Sequence, residues 1–465
     1  MNTNYKSLED LRAGTYKKVF FYRICGTGMG AAATLLKEAG YDIEGADAKF
    51  YPPMGPYLKS TGIKCHELST IKSDFLKNFD LIVVGNVVPK GSEDAKLIES
   101  CGVAYCSFPA ALGGLLLSKR NVVGIAGTHG KTTTTYLASQ LFENLGYRPG
   151  YFIGGVMEGR PSSLLGKDYF FIESDEYDSA YFEKFSKFRS YELDHMILTS
   201  LEFDHADIFK NEAAILEQFE NVMPKLKGHI LAASGYPMID ELVGKFKQLA
   251  WERYAPELLE SNVEGSLFEV SHNAKTHRFK TNLVGEHNIA NLTSVILFAL
   301  NEGIEASKIK EACLNLKMVK RRQEVRAKIG ECILIDDFAH HPRAISMTIS
   351  AIKTRYPNHK LVALFEPNSA TARSNIFEKE FTSALSLADE AYLTVLARPT
   401  SVSGTGDLDI ESMANKLTKE GHPSKVMHHL EDIRALITKL SQTPSVLLVL
   451  SNGTCLGLWE SDLVS

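Results

Sequence analysis

Residues 127–134 read GTHGKTTT, and no other stretch restricts the fold so strongly. The apolar run NVVGIA (121–126) leads into it, and a long helical pattern through KTTTTYLASQLFENLGY (131–147) leaves it. Backbone N–H groups in a glycine loop between strand and helix, with the helix N-terminus behind them, make a phosphate cradle. Lys131 adds a point charge for the terminal phosphates, and Thr132 offers a hydroxyl to Mg²⁺. The common pattern GxxxxGK[ST] begins with glycine where this chain has Ile125, so the loop is a compact variant.

A second glycine loop lies earlier, in RICGTGMGAAATLL (23–36), after the apolar run KVFFYRI. Gly26, Gly28 and Ala31 fit G-x-G-x-x-G/A, and Asp47 follows about twenty residues on. Alone, this fingerprint predicts an NAD(P)-dependent oxidoreductase. That reading leaves the GKT loop unexplained. It also ignores two acidic clusters at strand ends, where parallel sheets bind ligands. The first is YFFIESDEYD, with Glu173 ending the strand and Asp175, Glu176 and Asp178 beyond it; the second is LTSLEFDHAD, with Glu202, Asp204, His205 and Asp207.

Strand-like and helix-like segments alternate from 18 to about 118, the rhythm of a parallel βαβ sheet. The rhythm restarts at 121, with strands expected at 169–174, 195–200 and 229–234, shorter strands and turns over 252–280, and helices from about 287 and 307. A third α/β unit begins near 318, its strands CILIDDFAHHP, KLVALFEP, EAYLTVL and SVLLVLSNG. Boundaries near 118 and 318 divide 465 residues into three domains of ordinary size. A net charge of −5 argues against a nucleic-acid-binding protein. The seven cysteines form no CxxC pair, the N-terminus is polar and mixed in charge, and no apolar run is long enough to span a membrane. A cytoplasmic protein is expected.

Taken in order, AGTHGKTTT, ESDEYD, LEFDHAD, GEHNIAN, KRRQE and DDFAHHP resemble the motifs of the Mur ligases, and the resemblance runs from about residue 18 to 455. It implies an α/β enzyme of three domains. A Rossmann-like domain (1–118) would hold a UDP-sugar, a P-loop-type ATPase domain (119–317) ATP and Mg²⁺, and a Rossmann-like domain (318–465) would deliver the amine. It implies that Lys131, Glu173, His205 and Arg322 are catalytic, and that Thr132, Glu173 and His205 hold metal. ATP would lie against Gly127, Thr128, His129, Gly130, Lys131, Thr132 and Thr133, with His287, Asn288 and Asn291 near the adenine and Arg322, Asp337 and His340 reaching in from the third domain. The UDP-sugar would meet Gly26, Gly28, Met29, Asp47, Asn86, Gly154 and Gly155. Some of these have simpler readings: HN at a helix start as a cap, KRR as a solvated basic turn, AHHP as a strand-to-helix turn. The lysine that some members carbamylate is absent from NEAAILEQFENVMP (211–224).

Two branches of that family start from free UDP-N-acetylmuramate. One adds L-alanine. The other adds the tripeptide L-alanyl-γ-D-glutamyl-meso-diaminopimelate, through an acyl phosphate and with release of ADP and phosphate. The stretches YPPM (51–54), GNVVPKG (85–91), FIGGV (152–156) and FEP (365–367) resemble the tripeptide branch. One position departs: Asn368 stands where that branch commonly has arginine. Asparagine cannot clamp a carboxylate with a bidentate pair, so either Arg373 substitutes or the third amino acid of the peptide differs; Asn368, Ser369 and Arg373 are the candidate peptide contacts. The resemblance says nothing of oligomeric state.

Overall fold

The computed structural model describes residues 4–464 apart from 53, 155, 156 and 158. The chain divides into two compact units. One runs up to Gly127 and includes Thr134–Leu201 and Ala213–Arg253; the other comprises Thr128–Thr133, Glu202–Glu212 and everything from Tyr254 onward.

Two sheets make the first unit. Strands β1 (Lys18–Tyr22), β2 (Asp42–Asp47), β3 (Lys64–Glu67), β4 (Leu81–Val84) and β5 (Ala104–Ser107) form a parallel sheet in the order β3-β2-β1-β4-β5. β4 is buried throughout and β1 from its second residue on, as parallel strands covered on both faces must be. Strand order reverses at β1, so the loop of Gly26 and Gly28 leaves the sheet at its topological switch point.

The second sheet holds β6 (Asn121–Ala126), β7 (Gly150–Phe152), β8 (Ser163–Leu164) and β9 (Tyr169–Ser174). A hairpin of β10 (Asp178–Ala180) and β11 (Glu183–Ser186) follows, where the sequence predicts only an acidic loop. Then come β12 (His195–Leu198), β13 (Ile230–Ala233) and β14 (Trp251–Tyr254), giving the order β14-β13-β12-β6-β9-β7-β8.

A buried carboxyl ties the two sheets' surroundings together. Glu183, 2% exposed, accepts hydrogen bonds from Ser107 Oγ (2.6 Å) and Tyr5 Oη (3.0 Å). Burial raises its pKa, outweighing those two hydrogen bonds, which lower it. The stability it contributes is therefore full below the unfolded value of about 4.3 and falls as pH climbs through the raised folded value. Glu183→Gln removes that titration. The urea midpoint of the parent is expected to fall relative to that of the variant across this window; parallel pH profiles would exclude Glu183 as the titrating group.

In the second unit, β15 (Glu257–Asn262), β16 (Gly265–His272) and β17 (Lys275–Thr281) form an antiparallel sheet, followed by helices Glu286–Asn301 and Ala306–Ala312. The last sheet contains β18 (Glu324–Ile329), β19 (Cys332–Asp337), β20 (Lys360–Glu366), β21 (Glu390–Thr394), β22 (Val426–Met427) and β23 (Ser445–Ser451), in the order β18-β19-β23-β20-β21-β22. Only the β18–β19 pair is antiparallel. Neighbouring residues feed opposite cores: Ile335, Phe365 and Leu448 pack on one face, Leu334, Leu364 and Leu447 on the other. This two-sided burial explains why these strands read as continuous apolar runs.

Candidate active site

Gly127 carries the chain out of β6 with φ +132°, and Gly130 turns it with φ +85° into the helix Lys131–Asn144. A β-carbon at Gly127 would stand 2.5 Å from the Ser200 carbonyl oxygen and 2.6 Å from Thr199 Oγ1, so only glycine fits. Further along the loop, Thr128 Oγ1 accepts from the Glu202 amide (2.8 Å) and donates to the Glu202 carbonyl (3.1 Å). Lys131 folds back, its Nζ 3.4 Å from the Thr128 carbonyl. Thr132 is half-buried and Thr133 buried in the first helical turn.

β6 lies between β9 and β12, so the two strands that end in acidic clusters flank the strand that feeds the loop. Glu173 pairs in register with Ile125. Its Oε2 accepts the Gly154 N–H at 2.7 Å, which joins a predicted metal ligand to a predicted sugar-binding glycine. Gly155 lies outside the described residues. The acids beyond Glu173 are spoken for: Asp175 Oδ1 accepts the Tyr177 amide at 2.8 Å, and Asp178 pairs with Lys184 at 2.6 Å.

In the second unit, His129, Glu202, Asp204, His205, His340 and His341 form one electrostatic cluster. Burial opposes ionisation of Asp204, but the surrounding imidazoles, His205 foremost, outweigh it and hold the carboxyl below the usual range. Glu202 is likewise held down, to about 2: burial would raise it, and His129 and Arg343 more than offset that. Arg343 Nη1 sits 3.0 Å from Glu202 Oε1, while His129 Nε2 is 3.5 Å from Oε2. Burial first, then His129, pushes His341 down to about 3, and burial also lowers His340 despite Asp204. His205 has φ +54°, and its N–H donates to Asp204 Oδ1 at 2.7 Å. A β-carbon-bearing residue in this region is uncommon and marks strain that concentrates at functional sites.

A second group in that unit joins His287, Arg322, Gln323 and Asp337. Burial and then Arg322 push His287 down to about 4, and a ring nitrogen lies 3.1 Å from Gln323 Nε2. Arg322 stacks on Phe338 at 5.1 Å, so the KRR turn is not simply solvated. Arg321 is structural: it meets Asp336 at 3.1 Å and donates to the Ser451 and Gly453 carbonyls. Both oxygens of buried Asp337 accept backbone N–H groups, from Gln323 and Ala339, each at 2.9 Å. Asn288 is 3% exposed and donates to the Val284 carbonyl at 2.8 Å; the helix is capped by Gly285 with no side-chain cap bond, so HN is not a cap, and Asn291 is buried on the same helix.

Around the first glycine loop, Gly26 caps the helix Thr27–Glu38 and Met29 is buried within it. Gly28 packs against the Phe108 ring. Asp47 anchors the loop: its oxygens accept the Cys25 and Ala48 amides at 2.8 and 2.7 Å. Asn86 is exposed, its Nδ2 3.5 Å from the Asp178 carbonyl. After β20, Ser369 Oγ accepts the Ala372 amide at 3.1 Å, and Asn368 follows Pro367 on the same loop. Arg373 is 2% exposed and donates to the Asn368 and Pro399 carbonyls, so it braces that loop from beneath. Sequence reasoning missed Arg343, Gln323 and His341 as site members. His341 adjoins the expected His340, but nothing local marks Arg343 as the partner of Glu202, 141 residues away.

Three family models match the chain: Mur ligase family, catalytic domain, over residues 18–120; Mur ligase middle domain over 125–299; and Mur ligase, glutamate ligase domain over 321–453. The chain is 33% identical to UDP-N-acetylmuramate–L-alanyl-γ-D-glutamyl-meso-2,6-diaminoheptandioate ligase of Escherichia coli (strain K12), across 96% of this chain and 97% of that protein. The Haemophilus influenzae ligase of the same name is 30% identical over 96% and 98%. A crystal structure of a murein peptide ligase from Psychrobacter arcticus superposes with a TM-score of 0.65 at 28% identity, covering 96% of this chain and 97% of that one. With its three matched domains, parallel sheets and phosphate loop, the chain belongs to the Mur ligase family.

Proposed function

We propose that this enzyme joins the lactyl carboxylate of UDP-N-acetylmuramate to the amino group of L-alanyl-γ-D-glutamyl-meso-diaminopimelate, with ATP converted to ADP and phosphate. The observation that carries the reading is the 33% identity, nearly end to end, with a ligase named for that tripeptide. The working domain division is 1–118, 119–317 and 318–465. The seven described cysteines are all free thiols, in keeping with a reducing, cytoplasmic setting. No helix among the described residues is long and apolar enough to cross a membrane.

The residues present suit a magnesium nucleotide. The helix Lys131–Asn144 presents its N-terminus at the glycine loop, and Thr132 and Glu173 offer the hard oxygen donors that Mg²⁺ prefers. ATP supplies the phosphoryl group that turns an unreactive carboxylate into an acyl phosphate. Lys131 and Arg322 spread negative charge as that group transfers. His205 would help hold a second Mg²⁺ that neutralises charge on the acceptor carboxylate. The amine's proton goes to His205 or to the departing phosphate. Asn368, Ser369 and the loop braced by Arg373 face the peptide.

The test is phosphate release from the purified chain given ATP, Mg²⁺ and UDP-N-acetylmuramate, with the tripeptide or L-alanine as amine. Release is expected with the tripeptide and at most weakly with L-alanine. Preference for L-alanine would move the chain to the other branch; release with neither would sink the reading.

A further inference from the structure

We propose that His129, Glu202 and His341 form a site for a borderline divalent cation of the zinc type, with donors separate from Thr132, Glu173 and His205. One ring nitrogen of each histidine and one carboxylate oxygen of Glu202 all lie within 4.8 Å of one another. Two donors each about 2.0–2.2 Å from a tetrahedral metal stand roughly 3.4 Å apart. His129 Nε2 and Glu202 Oε2 are 3.5 Å apart, long for a hydrogen bond and right for two ligands of one ion.

Two further observations point to a missing ligand. Glu202 Oε2 and His341 Nδ1 are both buried and make no hydrogen bond, and His341 is only 7% exposed. Buried polar atoms ordinarily find partners, so each such atom calls for an explanation. The groups are also held in place. Arg343 Nη1 grips Glu202 Oε1 at 3.0 Å, leaving Oε2 to turn inward, and the two imidazoles meet at 4.6 Å between ring centres. Such supporting contacts orient the ligands of metal sites. Two nitrogens and one carboxylate suit zinc, whereas Mg²⁺ favours an octahedron of oxygens. Three protein donors leave a fourth position open to water.

The experiment uses the full chain, stripped with a chelator and titrated with zinc chloride against a chromophoric competitor, without nucleotide and with millimolar Mg²⁺ present. One tightly bound zinc per chain is expected, undisturbed by the magnesium. His341→Ala and Glu202→Gln should each weaken it about tenfold or more. Cobalt(II) in place of zinc should give the visible absorption of a tetrahedral ion in the parent and lose it in His341→Ala. Circular dichroism checks that each variant is folded; should Glu202→Gln disturb the fold, His341→Ala decides alone. Unchanged affinity in a folded His341→Ala, displacement by magnesium, or no tight zinc in the parent would overturn the proposal.

Discussion

Lys131→Ala is expected to lower the rate of ADP formation by roughly 10²–10³-fold, the usual cost of deleting one preorganised group that stabilises transition-state charge. UDP-sugar affinity should not change. Lys131 opens the helix Lys131–Asn144, and its Nζ already lies over the loop, 3.4 Å from the Thr128 carbonyl. The expected sugar loop, Gly26–Gly28, belongs to a different sheet. Isothermal titration with UDP-N-acetylmuramate and a coupled ADP assay separate the two effects. Equal turnover in variant and parent would remove Lys131 from the chemistry, and a parallel loss of sugar binding would point to a folding defect.

Gly127→Ala should be the most damaging single change in the same loop. The φ of +132° strains any β-carbon, and this one would press to 2.5 Å against the Ser200 carbonyl oxygen, which is backbone and cannot swing away. Strain and overpacking together should cost about 2–4 kcal/mol. Gly146 provides the comparison: its φ is +90°, but a β-carbon there meets nothing within 4 Å. Gly146→Ala then carries strain alone, about 1–2 kcal/mol. The urea midpoints of both variants test the difference, and an equal effect would mean that the close approach to Ser200 relaxes freely.

The parts of the site that were legible in the sequence are those whose chemistry is local. A phosphate loop needs its glycines, lysine and hydroxyls within a few residues, and β9 (Tyr169–Ser174) is legible because its own apolar run, Tyr169–Ile172, stands between Asp168 and the acids that follow. The nicotinamide reading of the first loop failed for the opposite reason. A glycine turn at a switch point fixes where a ligand sits but not which ligand, and Asp47 anchors two backbone amides of that loop whichever ligand it meets. Arg373 looked available for a peptide carboxylate because sequence carries no burial; it is enclosed, with carbonyl partners. The β10–β11 hairpin hid under its charges, since Lys184 answers Asp178 across the turn. The approach of Glu202 to His129 and Arg343 joins residues far apart in the chain and has no local signature.

His205 bends the backbone in a way that outlasts its imidazole. At φ +54°, with the preceding carboxylate holding its amide, the position favours glycine and, among residues with a β-carbon, asparagine, aspartate and histidine. Selection on the side chain and selection on the turn are thus two separate filters. A duplicated copy freed from catalysis would lose the first filter and keep the second. Its substitutions at this position should run to asparagine, aspartate or glycine, with the branched aliphatics rare. That pattern would let a descendant kept only for binding be told from one that is decaying outright, from a single codon.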